Sequence, residues 1–449
     1  MTRARSFERA AGRAPVRSAQ DDAPGLAARR AALAAVTEVL RTGIRLEDAL
    51  SRVSAGPDTA LARAIATSTF RRFGTIWRAL EDRLDKGVPG DPEGLALLAT
   101  GAAQVLLLDV PDHAAVDLSV RLARENPRFG HMAGVVNAVL RRIARERDMI
   151  MSRPDPFADT PDWLAARWLE CYGRERAAGI AAAHRAGAAL DLSVKANPHV
   201  WAERLGAVVL PTGSLRLPGR APVQELPGFA EGGWWVQDAA AALPARLLAV
   251  LPGERVADLC AAPGGKTAQL AAAGAKVTAV DRSAGRLARL AENLERLGLS
   301  AEIVCGDALA FAGGPFDAVL LDAPCTATGT IRRHPDVAWS KREADLASLA
   351  RLQADLLDHA ATLLRPGGRL VYCVCSLEPE EGERQAAAFL ERRPDFVRSR
   401  VEAEDFGLGP HFVTREGDLR TTPELWPDLP KVKPGLDGFF AARFVRPAP

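Results

Sequence analysis

The chain runs to 449 residues, with 48% in the hydrophobic class, 25% charged and a net charge of +2. That length predicts two to three domains, and the composition is that of an ordinary globular protein rather than a disordered one. No apolar run approaches the ~20 residues that span a bilayer, and nothing at the start resembles a signal-peptide core, so a cytoplasmic protein without membrane contact is expected.

Residues 1–24 open with Arg3, Arg5, Arg9, Arg13 and Arg17, opposed in that stretch by Glu8. They predict a basic, disordered tail, with phosphate contact as the alternative to plain solvation. Residues 25–148 read as all-helical. Leu26–Arg41 is rich in Ala and Leu at helical spacing, with Gly43 as its stop, and Ala60–Leu84, Gly94–Leu108 and His131–Arg145 continue the pattern. Pro111-Asp-His-Ala predicts a turn in which Asp112 caps a helix over His113–Arg124. His131–Arg145 would set Val135, Val136, Val139, Leu140 and Ile143 inward and leave Arg141, Arg142 and Arg145 outside. The result is a small bundle with basic surfaces, for which a scaffold role and RNA binding both stay open.

Met149–Thr160, with Pro154, Asp155 and Pro156, reads as a linker. Residues 160–235 form a small mixed region, with helices in Asp162–Ala186 and strands at Leu190–Val194 and Leu215–Leu217. It ends near Gly232-Gly-Trp-Trp-Val-Gln-Asp238.

Residues 236–449 alternate strand and helix, the pattern of a doubly wound sheet. Strands are expected at Arg255–Leu259, Lys276–Val280, Glu302–Val304, Phe316–Leu321 and Arg369–Cys375. Helices are expected at Lys266–Ala273, Ala284–Leu297 and Glu343–Leu364. Ligands of such sheets lie outside the carboxyl ends of the strands. After the first strand comes Asp258-Leu-Cys-Ala-Ala-Pro-Gly-Gly-Lys-Thr267, whose glycines permit close backbone approach at a helix start. Its spacing matches neither the dinucleotide fingerprint nor a P-loop. Asp281 ends the second strand, where a carboxylate can bond a ribose diol, and Asp307 follows the third, where one could meet an adenine amino group. Three aspartates in register point to a nucleoside cofactor, with no hydride or phosphoryl machinery beside it.

Six cysteines, at 171, 260, 305, 325, 373 and 375, are too scattered for a disulfide framework and fit a reducing compartment. Cys373 and Cys375 share a strand face without a nearby His, so no metal site is expected. Asp322-Ala-Pro-Cys325 and Cys373-Val-Cys375-Ser376 close the fourth and fifth strands. Two thiols there, one beside a carboxylate, suggest a nucleophile that activates a ring by covalent addition, the chemistry of cytosine C5 methylation. Burial as a small hydrophobe is the preferred fate of Cys260, Cys305 and Cys373, and Cys171 has no functional case.

These segments together resemble the signature set of the Nop/Sun family of RNA cytosine-5 methyltransferases. Val236-Gln-Asp238, Arg333-His-Pro-Asp-Val-Ala-Trp339 and Asp437-Gly-Phe-Phe440 resemble its bacterial Sun (Fmu, RsmB-type) branch. Gly101–Ala115 and Val136-Asn-Ala-Val-Leu-Arg-Arg142 resemble the NusB-like domain that precedes it there. The resemblance implies an all-α NusB-like bundle followed by an α/β Rossmann-like methyltransferase domain. It also implies S-adenosylmethionine as cofactor, small-subunit (16S) ribosomal RNA as partner, and a monomer. Carried over by motif, Cys260, Ala261, Ala262, Pro263, Gly264, Gly265, Lys266, Asp281 and Asp307 hold the cofactor, and Asp322 lies between cofactor and base. Cys375 is the implied nucleophile and Cys325 the residue that assists release. Val374 departs from the family pattern, where Thr is commoner; it should face away from the site. Trp234, Trp235, Arg332, Arg333, His334 and Trp339 are candidates to flank the RNA, with core packing preferred for the first two and RNA contact for the polar loop Gly329–Trp339. Methylation of a transfer RNA or large-subunit rRNA cytosine, or NusB-like RNA binding without catalysis, are the alternatives.

Overall fold

The computed structural model describes residues 24–53, 59–219, 222–426 and 429–449. Most of the expected basic tail lies outside them. The helical front comprises α1 (Leu26–Thr42), α2 (Leu46–Val53), α3 (Thr59–Arg71), α4 (Phe73–Glu81), α5 (Pro92–Leu107), α6 (Asp112–Glu125), α7 (Ala133–Arg145) and α8 (Arg147–Met151). Gly43 ends α1 in the left-handed region at φ 69°, as its position predicts. Leu97, Leu98, Ala102, Val105, Val136, Leu140 and Ile143 build one buried core here, and Val36, Ile65 and Phe70 a second.

Four local expectations are corrected. Ala60–Leu84 is two helices, broken at Arg72, and just past the break Gly74 approaches the Ala158 carbonyl so closely that a Cβ would sit 1.9 Å from its oxygen. Asp112 does not cap α6; it starts the helix and pairs with Arg147. Val135 is exposed rather than inward. Residues 149–160 are no free linker: Asp159 accepts the Thr75 N–H at 2.8 Å at the start of α4, and Asp155 pairs with Arg78 at 2.6 Å.

Next come α9 (Asp162–Ala186), kinked at Gly173, β1 (Leu190–Val194), α10 (Pro198–Leu205), β2 (Val208–Val209), β3 (Leu215–Leu217) and β4 (Trp234–Val236). The four strands form an antiparallel sheet of order β2-β3-β1-β4. Arg216 and Asp191, both fully buried, close a two-bond ion pair at 2.7 Å on its face.

The second sheet is built from β5 (Arg255–Leu259), β6 (Lys276–Asp281), β7 (Glu302–Cys305), β8 (Phe316–Asp322), β9 (Leu364–Val374), β10 (Val397–Arg398), β11 (Leu419–Thr421) and β12 (Phe439–Val445). Helices α11 (Leu243–Leu248), α12 (Gly265–Ala272), α13 (Ala284–Leu297), α14 (Val337–Ser340), α15 (Ala344–Thr362) and α16 (Glu383–Arg392) join and cover them. The parallel strands run β7-β6-β5-β8-β9, so the chain reverses direction across the sheet between β5 and β8. Such switch points open a crevice at the carboxyl edge. The antiparallel strand β12, beside β9, was not foreseen; its run Phe439-Phe-Ala-Ala-Arg-Phe-Val445 is the signal that could have given it. Two apolar layers enclose the sheet, one around Val256, Leu320 and Val371 and the other around Leu259, Leu321 and Tyr372.

The two halves meet at the loop after Cys325. Trp339 packs against Phe73 in a tilted pair with centroids 5.0 Å apart, and its indole N–H donates to the Phe70 carbonyl at 2.9 Å. The Leu46 N–H donates to the Asp336 carboxylate at 3.0 Å. No helix among the described residues is long and apolar enough to cross a membrane.

Candidate active site

Five strand ends converge at the carboxyl edge. After β5 the chain turns through Cys260 in the left-handed region, φ 60°, with Ala261 and Ala262 buried and Pro263 outward. Gly264, at φ 98°, precedes α12; a Cβ there would lie 2.5 Å from Leu290 Cγ, so only glycine fits. Asp281 is buried and accepts the Ala262 N–H at 3.1 Å and the Ser283 N–H at 2.9 Å, with Arg286 at 3.6 Å. It therefore fastens the Cys260–Gly265 turn to β6. Asp307 is exposed beyond β7 and accepts the Leu309 N–H at 3.0 Å, so it is a local cap as well as an acceptor at the strand end.

These groups suit a nucleoside cofactor. Two carboxylates, Asp281 and Asp307, stand at neighbouring strand ends to one side of the glycine turn, an arrangement that fits a diol and an amine. Asp258 accepts the Thr267 hydroxyl at 2.6 Å, while its other oxygen is buried without a hydrogen-bond partner. Burial pushes the Asp258 carboxyl up to about 7.

Lys266, in the first turn of α12, crosses to Asp322 at 2.8 Å and lies 5.1 Å over the Phe439 ring. Its burial works against the charged form, but the Asp322 carboxylate holds the ammonium firmly protonated. Asp322 keeps 30% of its side chain exposed, so it is reachable from the crevice. Its other oxygen faces the Cys373 thiol at 3.5 Å. Cys373 is buried, as expected, whereas Cys305 is exposed because β7 is the sheet edge.

Cys325 and Cys375 come together at 3.6 Å, Sγ to Sγ. The Cys325 thiol, donating to Cys375, holds the Cys375 pKa below the ordinary thiol range. Burial and Asp322 oppose this, while Lys266 and Arg45 assist. Cys325 is raised well above that range by the same hydrogen bond and by burial. Arg45 comes from the turn between α1 and α2, a contribution with no local sequence signal.

The loop Gly329–Trp339 is more buried than its polarity predicts. Arg332 and Asp336 are buried; Arg332 sits 3.5 Å from Asp238 and 3.3 Å from Asp437, and Arg333 also pairs with Asp437. Polarity was spent on an internal ion cluster that joins the three branch motifs, whose members lie about a hundred residues apart in sequence. Trp234 and Trp235 are buried, and Gln237 bonds the Trp235 indole at 2.9 Å. Among the described residues no group of three or more His, Cys, Asp and Glu is gathered for a metal.

The switch-point sheet and its donor set are those of an α/β protein suited to a nucleoside cofactor. The family model described as 16S rRNA methyltransferase RsmB/F matches residues 245–445, and the NusB family model matches residues 26–145. Ribosomal RNA small subunit methyltransferase B of Vibrio cholerae is 38% identical over 82% of this chain and 90% of its own length. The protein of that name from Salmonella arizonae is 35% identical over 93% and 98%. The crystal structure of PH0851 superposes with a TM-score of 0.70 at 25% identity, over 94% of this chain and 99% of that one. A methyltransferase homolog protein from Pyrococcus horikoshii gives 0.52 at 28% identity, over 66% and 97%. The chain belongs to the 16S rRNA methyltransferase RsmB/F family, with a NusB-family region at its front. It is an enzyme, and S-adenosylmethionine is its cofactor.

Proposed function

We propose that this chain methylates C5 of one cytosine in 16S ribosomal RNA, with Cys375 as nucleophile, Cys325 at release and Asp322 on the base. Residues 25–148 form the RNA-binding front, residues 160–235 a small second RNA-binding region, and residues 236–449 the catalytic domain. The protein acts as a cytoplasmic monomer. The observation that carries the assignment is the pair of thiols, 3.6 Å apart at adjacent strand ends, beside the Lys266–Asp322 ion pair at 2.8 Å.

S-adenosylmethionine supplies an electrophilic methyl group. The Cys260–Lys266 turn, Asp281 and Asp307 would hold it, and Lys266 fixes Asp322 between it and the base. Asp322 can accept from the cytosine N4 amine. The Cys375 thiolate forms a bond to C6, which makes C5 nucleophilic enough to take the methyl as the methyl–sulfonium bond breaks. A base then removes the C5 proton, the C5–H electron pair restores C5=C6, and Cys375 leaves as thiolate.

The test is methyl transfer from labelled S-adenosylmethionine to unmodified small-subunit rRNA, mapped at single-base resolution, with wild type and Cys375→Ala in parallel. One 5-methylcytosine made only by wild type is the expected result. A methylated product with Cys375→Ala would overturn the nucleophile, and transfer only to transfer RNA or large-subunit rRNA would overturn the substrate.

A further inference from the structure

Cys325 lies beyond the end of β8, in a turn that no strand pairing holds. Its chain neighbours are pinned by two fully buried side chains from elsewhere. Glu381 accepts the Thr326 N–H at 2.9 Å and the Thr326 hydroxyl at 2.5 Å. Gln353, on α15, donates to the Pro324 carbonyl at 2.9 Å and to the Glu381 carboxylate at 3.1 Å. The residue before Cys325 and the residue after it are thus both fixed. Glu381 is anchored in turn, through its own carbonyl, by the Tyr372 hydroxyl. Thr326 Oγ1 also lies 3.2 Å from Ser376 Oγ, beside Cys375, so the clamp spans both thiol-bearing turns.

The two cysteines depend on it unequally. Cys375 directly follows β9, which is paired to β8 and β12, and its carbonyl accepts the Gly329 N–H at 3.0 Å. The sheet therefore places Cys375. Cys325 lies past that pairing, and the clamp fixes the residues on either side of it. A buried carboxylate is tolerated when several donors satisfy it, and here those donors all belong to the Cys325 turn or to the helix behind it.

We propose that Glu381, with Gln353, is the positioning residue for Cys325 and so governs release of the RNA adduct more than its formation. The inference rests on the roles proposed above for the two thiols. At release the C5 proton passes to a base, its bonding pair becomes the C5=C6 bond, and the C6–Sγ bond to Cys375 breaks. A displaced Cys325 leaves that step slow and the adduct standing.

The experiment measures denaturant-resistant RNA–protein adduct and compares the first turnover with later ones, using unmodified small-subunit rRNA and S-adenosylmethionine. Wild type, Cys375→Ala, Cys325→Ala, Glu381→Gln and Thr326→Val are compared. Glu381→Gln and Thr326→Val should accumulate adduct several-fold over wild type, as Cys325→Ala does, and lose more of the later turnovers than of the first. A general structural defect lowers adduct and turnover together. A folded Glu381→Gln with wild-type adduct levels, or with neither adduct nor product, overturns the inference. If Glu381→Gln fails to fold, Thr326→Val decides by the same criteria. If Cys325→Ala itself accumulates no adduct while wild type methylates, the thiol roles fail instead.

Discussion

The thiols of Cys325 and Cys375 stand 3.6 Å apart although 50 residues separate them, and their hydrogen bond, taken with Cys325 as donor, lowers the Cys375 pKa. Removing the donor with Cys325→Ala should raise the Cys375 pKa. A thiolate nucleophile gains rate as pH rises through its pKa, so the rising limb of Cys375 alkylation by iodoacetamide should move to higher pH. Alkylation followed from pH 6 to pH 10 checks this; an unmoved limb would sink the donor role.

Lys266→Met removes the cation that faces Asp322 at 2.8 Å and assists the Cys375 thiolate. Alkylation of Cys375 near neutral pH should slow. Stability in urea should fall by about 1–3 kcal/mol, less than for a wholly buried pair because Asp322 keeps access to water.

Gly329→Ala would place a Cβ 1.9 Å from the Gly438 carbonyl oxygen, backbone against backbone, in the loop that bonds Cys375. Methyl transfer should be lost, with destabilisation of about 1–3 kcal/mol or more. Gly285→Ala is the opposite control. It lies in the first turn of α13 with nothing within 4 Å of the added methyl, and should be neutral or gain up to about 1 kcal/mol.

Arg332→Met strips a buried cation from Asp238 and Asp437 and should cost about 3–5 kcal/mol at pH 7.5. Burial raises the Asp437 carboxyl to about 6. A carboxyl raised on folding binds more protons in the native state, so its stabilising contribution is present at low pH and is lost as pH rises through about 6. The variant should therefore recover part of its stability when thermal unfolding is followed at pH 5, and a loss that grows on acidification would contradict the cluster's role.

Much of the catalytic half was legible because parallel strands covered on both faces read as apolar runs, and their carboxyl ends mark where ligands sit. Phe316–Asp322 and Lys276–Asp281 followed from that pattern almost to the residue. What escaped depends on partners far away in sequence. The acidic run Glu378-Pro-Glu-Glu-Gly-Glu383 carries no local signal of burial, yet Glu378 and Glu381 are wholly buried, bonded to Arg167, Trp168, Thr326 and Gln353. The break at Arg72 was equally hidden, since the Ala158 carbonyl that packs against Gly74 beside it is far away in sequence. Arg45 reaches the Cys375 field only because α1 and α2 dock on the loop after Cys325.

That docking bears on how such a protein can be divided or exchanged. The Phe70 carbonyl and Leu46 amide of the front are partners of Trp339 and Asp336, in the loop that follows Cys325. A fragment beginning at the second sheet would turn an indole and a buried carboxylate out to water in the loop that follows Cys325. The two halves are one inheritance: a front grafted from a distant relative must bring the Phe70 and Leu46 backbone to the same places, or the chemistry behind it slackens.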